Sequence, residues 1–331
     1  MIKKILYLLY FVKITDWRKV LKDIKYLSKS YNISKHVILL DIFKESLRTG
    51  VSFHEYIYYS WVEKNRISRD EYATMSHMYE YQKNRNPQKY RGYVSDKVKF
   101  LKIYNEYIGR EWMSLDTKVD MKELQVFLED KERVVLKKSK GRAGDSVKVV
   151  ELSENKSEQI LGMKNKYKLD LLEEYIYQHS EISKLSPNSV NTIRIITEVL
   201  DNNEIIIIGS VIRFGSGGIT DNLTTGGVAF PISLESGKIS GPGISFDIRQ
   251  NNIIEHPITK VELLDFRIPY WDEVKKMCLS AARVQKNLKS LGWDIAITES
   301  GPLIIEANHD WGARLWQMSS AKGMKSHLIS I

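Results

Sequence analysis

Residues 293–310, WDIAITESGPLIIEANHD, constrain the fold more than any other part of this chain. Two apolar runs, 295–298 and 303–305, flank Glu299-Ser300-Gly301-Pro302. Glycine and proline between β-prone runs predict a hairpin. With the turn centred on Gly301, Asp294 lies opposite Asn308 and Ala296 opposite Glu306. Side chains alternate faces along a strand, so Asp294, Glu306 and Asn308 then project from one face. Two carboxylates and an amide oxygen on strands otherwise fit for burial are costly unless their charge is offset. A hard divalent cation such as Mg²⁺ would offset it, because it prefers oxygen ligands. The other reading is a half-exposed edge hairpin whose carboxylates face water. These residues alone leave both open.

The chain's 331 residues suffice for a large core and more than one lobe. Hydrophobic residues at 43% and charged residues at 27% describe an ordinary globular protein and exclude a disordered or fibrous one. A net charge of +9 suggests an anionic partner (nucleotide, acidic sugar, nucleic acid or membrane surface) without choosing among them. The single cysteine, Cys278, excludes an internal disulfide and a cysteine-rich zinc site. It fits a reducing compartment, with the cytoplasm the expected location.

Residues 1–14, MIKKILYLLYFVKI, combine lysines with an apolar run that Lys13 interrupts after about eight residues, too few to span a bilayer. No small-residue cleavage site follows, which argues against a secretory signal. Two readings remain: a helix packed on the body, which is favoured, and an interfacial helix making peripheral contact with the inner face of a membrane.

Residues 1–94 read as a mostly helical region, with apolar residues at helical spacing such as Val37, Leu40, Ile42, Phe43 and Leu47. Tyr56, Tyr58, Tyr59 and Trp61 among basic residues fit core-facing rings better than a nucleic-acid surface, so no nucleic-acid partner is expected. Ser95 or Asp96 is a helix N-cap for the periodic run that follows. Lys97 then falls in the first helical turn, where a cation opposes the helix dipole and an anion would be at home.

Residues 133–150 carry a sharper signal. β-type runs enter and leave a loop that crowds Lys137, Lys138, Lys140 and Arg142 around Gly141 and Gly144. Such crowding is unfavourable unless anions gather there, and glycines admit backbone NH groups close to a phosphate. Neither a Walker A loop nor a Rossmann fingerprint is present; the competing reading is a solvated basic turn. Residues 169–178 form an apolar strand interrupted by Glu173-Glu174. A strand of this kind between two lobes can pair an adenine through its main chain. Two antiparallel strands, 190–200 and 204–213, follow, and Arg194 and Arg213 inside their apolar runs must find anions or a rim. Residues 213–233 hold five glycines with Asp221, Asn222 and three threonines, an adaptable ligand-facing loop. A helix over 268–291, ended by Gly292, leads into the hairpin.

The order of these features resembles the ATP-grasp superfamily over roughly residues 95–331. It is most similar to the sugar-transfer-associated ATP-grasp subfamily, found with polysaccharide biosynthesis genes. The segments SVNTIRIIT, RFGSGGITDNLTTGGVAFPI, EHPIT and WDIAITESGPLIIEAN carry the resemblance. It implies an α+β fold: two lobes clasping ATP, with the N-terminal helical region outside them. The implied division is 1–94, then 95–175 with a Gly-rich phosphate lid, then 176–331 with the metal site.

By position, the resemblance places Lys97 and Lys137 on phosphate, with Lys138 standing where a proline is common and competing with Lys137 for that role. Gly141, Gly144 and Ser146 would belong to the lid. Glu173 or Glu174, with the main chain of Tyr175 and Ile176, would hold adenosine. Asp294, Glu306 and Asn308 would bind Mg²⁺. Arg213 with Asn222 would steady the γ-phosphate or an acyl phosphate, and Arg194 joins them in the catalytic set. The implied activity is an ATP-dependent carboxylate–amine ligase making a carbon–nitrogen bond through an acyl phosphate. Its partners would be a carboxylate-bearing sugar (a uronic acid) or amino acid and an amine acceptor, in capsular or exopolysaccharide biosynthesis. Residues 215–227 and 249–256 would face the acyl donor, with His256 more readily a packing residue than a base. A kinase acting on a sugar hydroxyl, or a non-catalytic nucleotide- or glycan-binding scaffold, are the alternatives.

Overall fold

The computed structural model describes residues 2–115, 119–141, 147–218, 220–250 and 252–329. Its first third is helical: α1 (Ile2–Ile14), α2 (Trp17–Ser30), α3 (Lys35–Thr49), α4 (Phe53–Tyr58), α5 (Arg66–Asp70), α6 (Met75–Arg85), α7 (Gln88–Ser95), α8 (Lys97–Ile103) and α9 (Asn105–Ile108). The stops and starts are local chemistry. Asp16 accepts from the backbone NH groups of Arg18 and Lys19 to start α2, and Ser52 and Glu55 form a reciprocal capping box on α4. Gly50 ends α3 with φ +73°, and a Cβ there would meet the Ser76 hydroxyl, so both backbone and space demand glycine. A core of Val20, Ile24, Ile38, Ile42, Phe53, Tyr56 and Trp61 holds these helices together.

Two antiparallel sheets follow. The first has order β1-β4-β2-β3, from β1 (Trp112–Ser114), β2 (Arg133–Lys137), β3 (Lys148–Glu151) and β4 (Leu171–Glu174). Helices α10 (Met121–Leu128) and α11 (Lys156–Tyr167) close its core around Leu124, Val134, Leu136 and Ile160. The short α12 (Ser180–Leu185) then leads to the second sheet. That sheet has order β7-β6-β5-β8-β9, from β5 (Ile193–Val199), β6 (Ile205–Phe214), β7 (Val228–Pro231), β8 (Ser290–Thr298) and β9 (Gly301–Asn308). Its main core packs Ile193, Ile195, Trp293 and Ile295 against α13 (Trp271–Ala281) and against Phe100, Leu101 and Tyr104 of the α8–α9 segment. A last helix, α14 (Ala313–Ser319), covers the other face through Trp316. The molecule is therefore α+β, with an N-terminal region that is helical.

Two expected elements differ. The helix read over 268–291 ends at Ala281, and 290–292 already belong to β8. Val274, Cys278 and Ala281 are its buried stripe, whereas Leu288 is buried after the chain has left the helix. Gly292 is no helix stop: a Cβ there would strike Trp311, so it is a close-packing glycine in a strand. The hairpin register also shifts. The turn is Glu299-Ser300, with Thr298 already paired to Gly301, and beyond a bulge between Asp294 and Ile295 this places Asp294 opposite Glu306, and Gly292, not Asp294, opposite Asn308. The extra residue, Ile305, is what a count from the turn cannot see.

Candidate active site

Six strands of the two sheets deliver charge to one place. On the second sheet, Arg194 of β5 stands directly across from Asp294 of β8, and Asp294 across from Glu306 of β9. Arg194 grips Asp294 with two parallel bonds, Nε to Oδ1 at 2.6 Å and Nη2 to Oδ2 at 2.9 Å. Arg213, near the end of β6, reaches the same Oδ1 at 3.1 Å and Asp221 at 3.4 Å. Burial alone would raise the Asp294 carboxyl; the two guanidinium groups bring it down to about 2. Burial would likewise weaken Arg213 as a cation, and Asp221, Asp294 and Glu306 together raise it instead. Thr192, just before β5, accepts from the Arg213 NH at 2.9 Å and is fastened by Asp221, which accepts from the Thr192 backbone NH at 2.9 Å.

From the first sheet comes Lys137, buried at the end of β2, with its Nζ 2.5 Å from Glu173 Oε1 on β4. Arg110 donates to the other Glu173 oxygen at 2.8 Å. Burial alone would raise the Glu173 carboxyl, but Lys137 and then Arg110 hold it below the usual carboxylate range. Burial lowers the Lys137 ammonium, and nearby Arg110 adds to the lowering. Arg110 also donates to the Ile304 carbonyl at 2.9 Å and the Ile305 carbonyl at 3.2 Å. It thereby ties the first sheet to the bulged strand of the second.

Lys97 opens α8, whose N-cap is Asp96, accepting from the Lys99 NH. Its own NH donates to the Ser139 carbonyl and its Nζ to the Gly141 carbonyl, both at 3.1 Å, which sets it beside the loop that β2 enters. Burial and Asp294 raise the Glu306 carboxyl, and Lys137 and Lys97 oppose that rise, so both lysines act on the hairpin carboxylate from across the cleft.

The residues expected at the site divide accordingly. Lys97, Lys137, Glu173, Arg194, Arg213, Asp294, Glu306 and Asn308 converge. Lys138 is exposed, one residue past the end of β2, and alternation puts it on the face opposite to the buried Lys137. Glu174 accepts from the Glu111 NH at 3.0 Å, a local clasp on β1. Tyr175 lies under the Arg133 guanidinium at 5.7 Å, and Ile176 is half-buried beyond β4. Asn222 turns its carbonyl oxygen to the Thr224 NH as a cap, and the residue beside Arg213 is Asp221. Gly141 sits at the loop's edge; Gly144 and Ser146 lie outside the described residues. His256 is buried, with Nε2 against the Gly215 carbonyl at 2.8 Å and Nδ1 accepting from Thr259 NH at 3.2 Å, so it fastens the Gly-rich loop. The residues before it turn away: Phe246 stacks on Tyr58 of α4, and Arg249 pairs with Asp247. Arg110 and Thr192 were not expected at the site, and Asp221 was expected only as part of the ligand-facing loop. Lone polar residues in loops carry no periodicity or motif that would have singled them out.

The donor set fits a hard cation. Among the described residues no group of three His, Cys, Asp or Glu side chains is placed to hold a metal; the set here is two carboxylates and an amide. Asn308 Nδ2 lies 3.3 Å from Glu306 and 3.4 Å from Asp294, a partial positive charge between two carboxylates. Arginines take three of the roughly four lone-pair positions on Asp294 and Asn308 Nδ2 approaches the fourth, so a cation would take the place of that amide donor, with Glu306 and the Asn308 amide oxygen as further ligands.

A family model described as sugar-transfer associated ATP-grasp matches residues 76–331, beginning in α6 and not at the expected residue 95. Solved structures with a related chain path include the ADP complex of purK, N5-carboxyaminoimidazole ribonucleotide synthetase, at 9% identity and TM-score 0.46, over 75% of this chain and 56% of that one. D-alanine–D-alanine ligase from Bacillus anthracis complexed with ATP matches at 14% identity and TM-score 0.42, over 72% and 65%. The ATP-grasp ligase PsnB with a minimal precursor matches at 14% and 0.39, over 73% and 62%. This chain thus spans less than two thirds of the length of each of these structures. No curated protein matches its sequence.

Proposed function

We propose that this chain, which belongs to the sugar-transfer associated ATP-grasp family, is an ATP-dependent carboxylate–amine ligase. The observation that carries the reading is the meeting of Lys97 and Lys137 from one side with Asp294, Glu306 and Asn308 from the other. Phosphoryl transfer asks for positioning and charge neutralisation more than for a protein nucleophile, and this cleft supplies the first two.

In the proposed reaction an oxygen of the substrate carboxylate attacks the γ-phosphorus of ATP as the bond to ADP breaks. The amine then attacks the acyl carbon, and phosphate departs with the electron pair of the C–O bond. Lys97 and Lys137 hold phosphate oxygens, and Arg213, kept cationic by Asp221 and Asp294, faces the charge that moves to the acyl phosphate. Arg110 and Glu173 hold Lys137 in place. Asp294, Glu306 and Asn308 would hold Mg²⁺, which supplies charge to the phosphoryl oxygens. Main chain at Tyr175 and Ile176 would line the adenine, with lobe boundaries near residues 95 and 175. The acyl donor in this reading is a uronic-acid sugar or amino acid of capsular or exopolysaccharide assembly.

Incubation with Mg-ATP, uronic-acid sugars and amino acids, read by mass spectrometry, tests it. The expected product has lost one water relative to its two precursors, with ADP and phosphate released. A phosphorylated acceptor without free phosphate would establish a kinase and overturn the ligase.

A further inference from the structure

The helical N-terminal region carries a surface that the ATP cleft does not use. Helix α1 packs on α3, and Tyr7, Leu8 and Phe11 supply its inward face, with the Tyr7 hydroxyl on Glu80 at 2.8 Å. Its opposite face is apolar as well: Ile2, Ile5, Leu6 and Leu9 are 44–74% exposed. On α3, Val37, Leu40, Lys44 and Leu47 share one exposed stripe at helical spacing, Leu40 at 70% exposure. Of the 24 large hydrophobic side chains exposed among the described residues, 12 fall within residues 2–47. That concentration is far above the scattered exposure normal for a water-facing surface.

Charge gathers in the same segment. Residues 1–50 hold 11 lysines and arginines against four acidic residues, so they carry +7 of the chain's +9. Two of those four acids, Asp23 and Glu45, are buried and paired inward with Lys19 and Arg48. Lys3, Lys13 and Lys44 lie on or beside the apolar stripes and are exposed.

We propose that α1 and α3 form a docking face for an anionic lipid bilayer, with the apolar residues at the headgroup–acyl boundary and the lysines on acidic headgroups. At 13 residues, α1 is about 20 Å long, too short to cross a hydrocarbon core of about 30 Å, so it lies in the interface. No helix among the described residues is long and apolar enough to cross. An apolar face ringed by lysines matches such a surface in both its terms; a protein partner or a second copy would need acidic groups opposite those lysines, and this chain's own exposed α1–α3 face offers none.

The test is flotation of the full chain with phosphatidylcholine vesicles, with and without phosphatidylglycerol. The protein is expected to float with the anionic vesicles and to remain behind with the neutral ones. Leu6→Glu with Leu9→Glu, at exposed positions that leave the fold intact, should abolish flotation. Lys13→Ala with Lys44→Ala should weaken partitioning about 30-fold, on the order of fivefold for each lysine near an anionic surface. ATP turnover without vesicles should be unchanged in both variants, which separates this inference from the ligase reading. Absence of flotation with the anionic vesicles overturns it. So does a concentration-dependent dimer that the Leu6→Glu, Leu9→Glu pair dissolves while flotation persists.

Discussion

Two buried carboxylates on one β5–β8 ladder meet opposite fates. Asp294 faces Arg194 across the ladder, and four residues along β5 Glu198 faces Ser290. Both are almost fully buried. Asp294 has two guanidinium groups within 3.1 Å and sits at about 2. Glu198 accepts from Ser290 Oγ at 2.6 Å and has Arg85 only at 3.5 Å, so burial wins and pushes it up to about 7. Burial alone therefore does not decide whether a carboxylate stays charged; the number and distance of its cations do. The charged one faces the cleft, and the near-neutral one pins α6 to the sheet.

The comparison breaks first at Asp294. Asp294→Asn or Glu306→Gln should cut ADP formation by about 10³-fold while circular dichroism shows the fold retained. Unchanged turnover in either variant would remove both from the metal site. Next in size is Lys137→Ala, which takes one of Glu173's two cations and should raise the apparent Michaelis constant for ATP by about tenfold. Lys138→Ala, at an exposed position, should leave it within about twofold; the reverse ranking would transfer the phosphate role to Lys138.

The smallest effect lies in stability. The Glu198 carboxyl is raised in the folded state, so the native protein holds that proton more tightly than the unfolded chain does. Stability from this group is greatest below the unfolded value of 4.5 and is lost as pH rises through about 7, by on the order of 3 kcal/mol. Asp294 works in the opposite sense: its contribution is present above 3.8 and is lost only as pH falls through about 2. Glu198→Gln should flatten the melting temperature between pH 5 and 8 and raise it by a few degrees at pH 8. A variant whose melting temperature still fell with pH across that range would show that Glu198 is not the group being titrated.

Much of the site was legible because local chemistry marks it. Asp294, Glu306 and Asn308 stood out as polar groups inside apolar runs, and Arg194 and Arg213 stood out for the same reason. The choice between Lys137 and Lys138 was not legible, because it depends on which way β2 faces, and pairing with β3 and β4 sets that. Arg110 was invisible for a related reason: its partners at Glu173, Ile304 and Ile305 are far from it in sequence.

The sequence by itself determined the elements: the helical first third, the two strand-rich blocks, the hairpin within residues 293–310 and the placement of three oxygen donors on one face of it. These follow from periodicity, capping and turn residues, which act over a few positions. The tertiary structure alone decided the bulge at Asp294, the end of α13 at Ala281, and the clasp of two arginines on one carboxylate. Each depends on partners that only folding brings together, and in a buried site those partners set register and charge more strongly than local preference does.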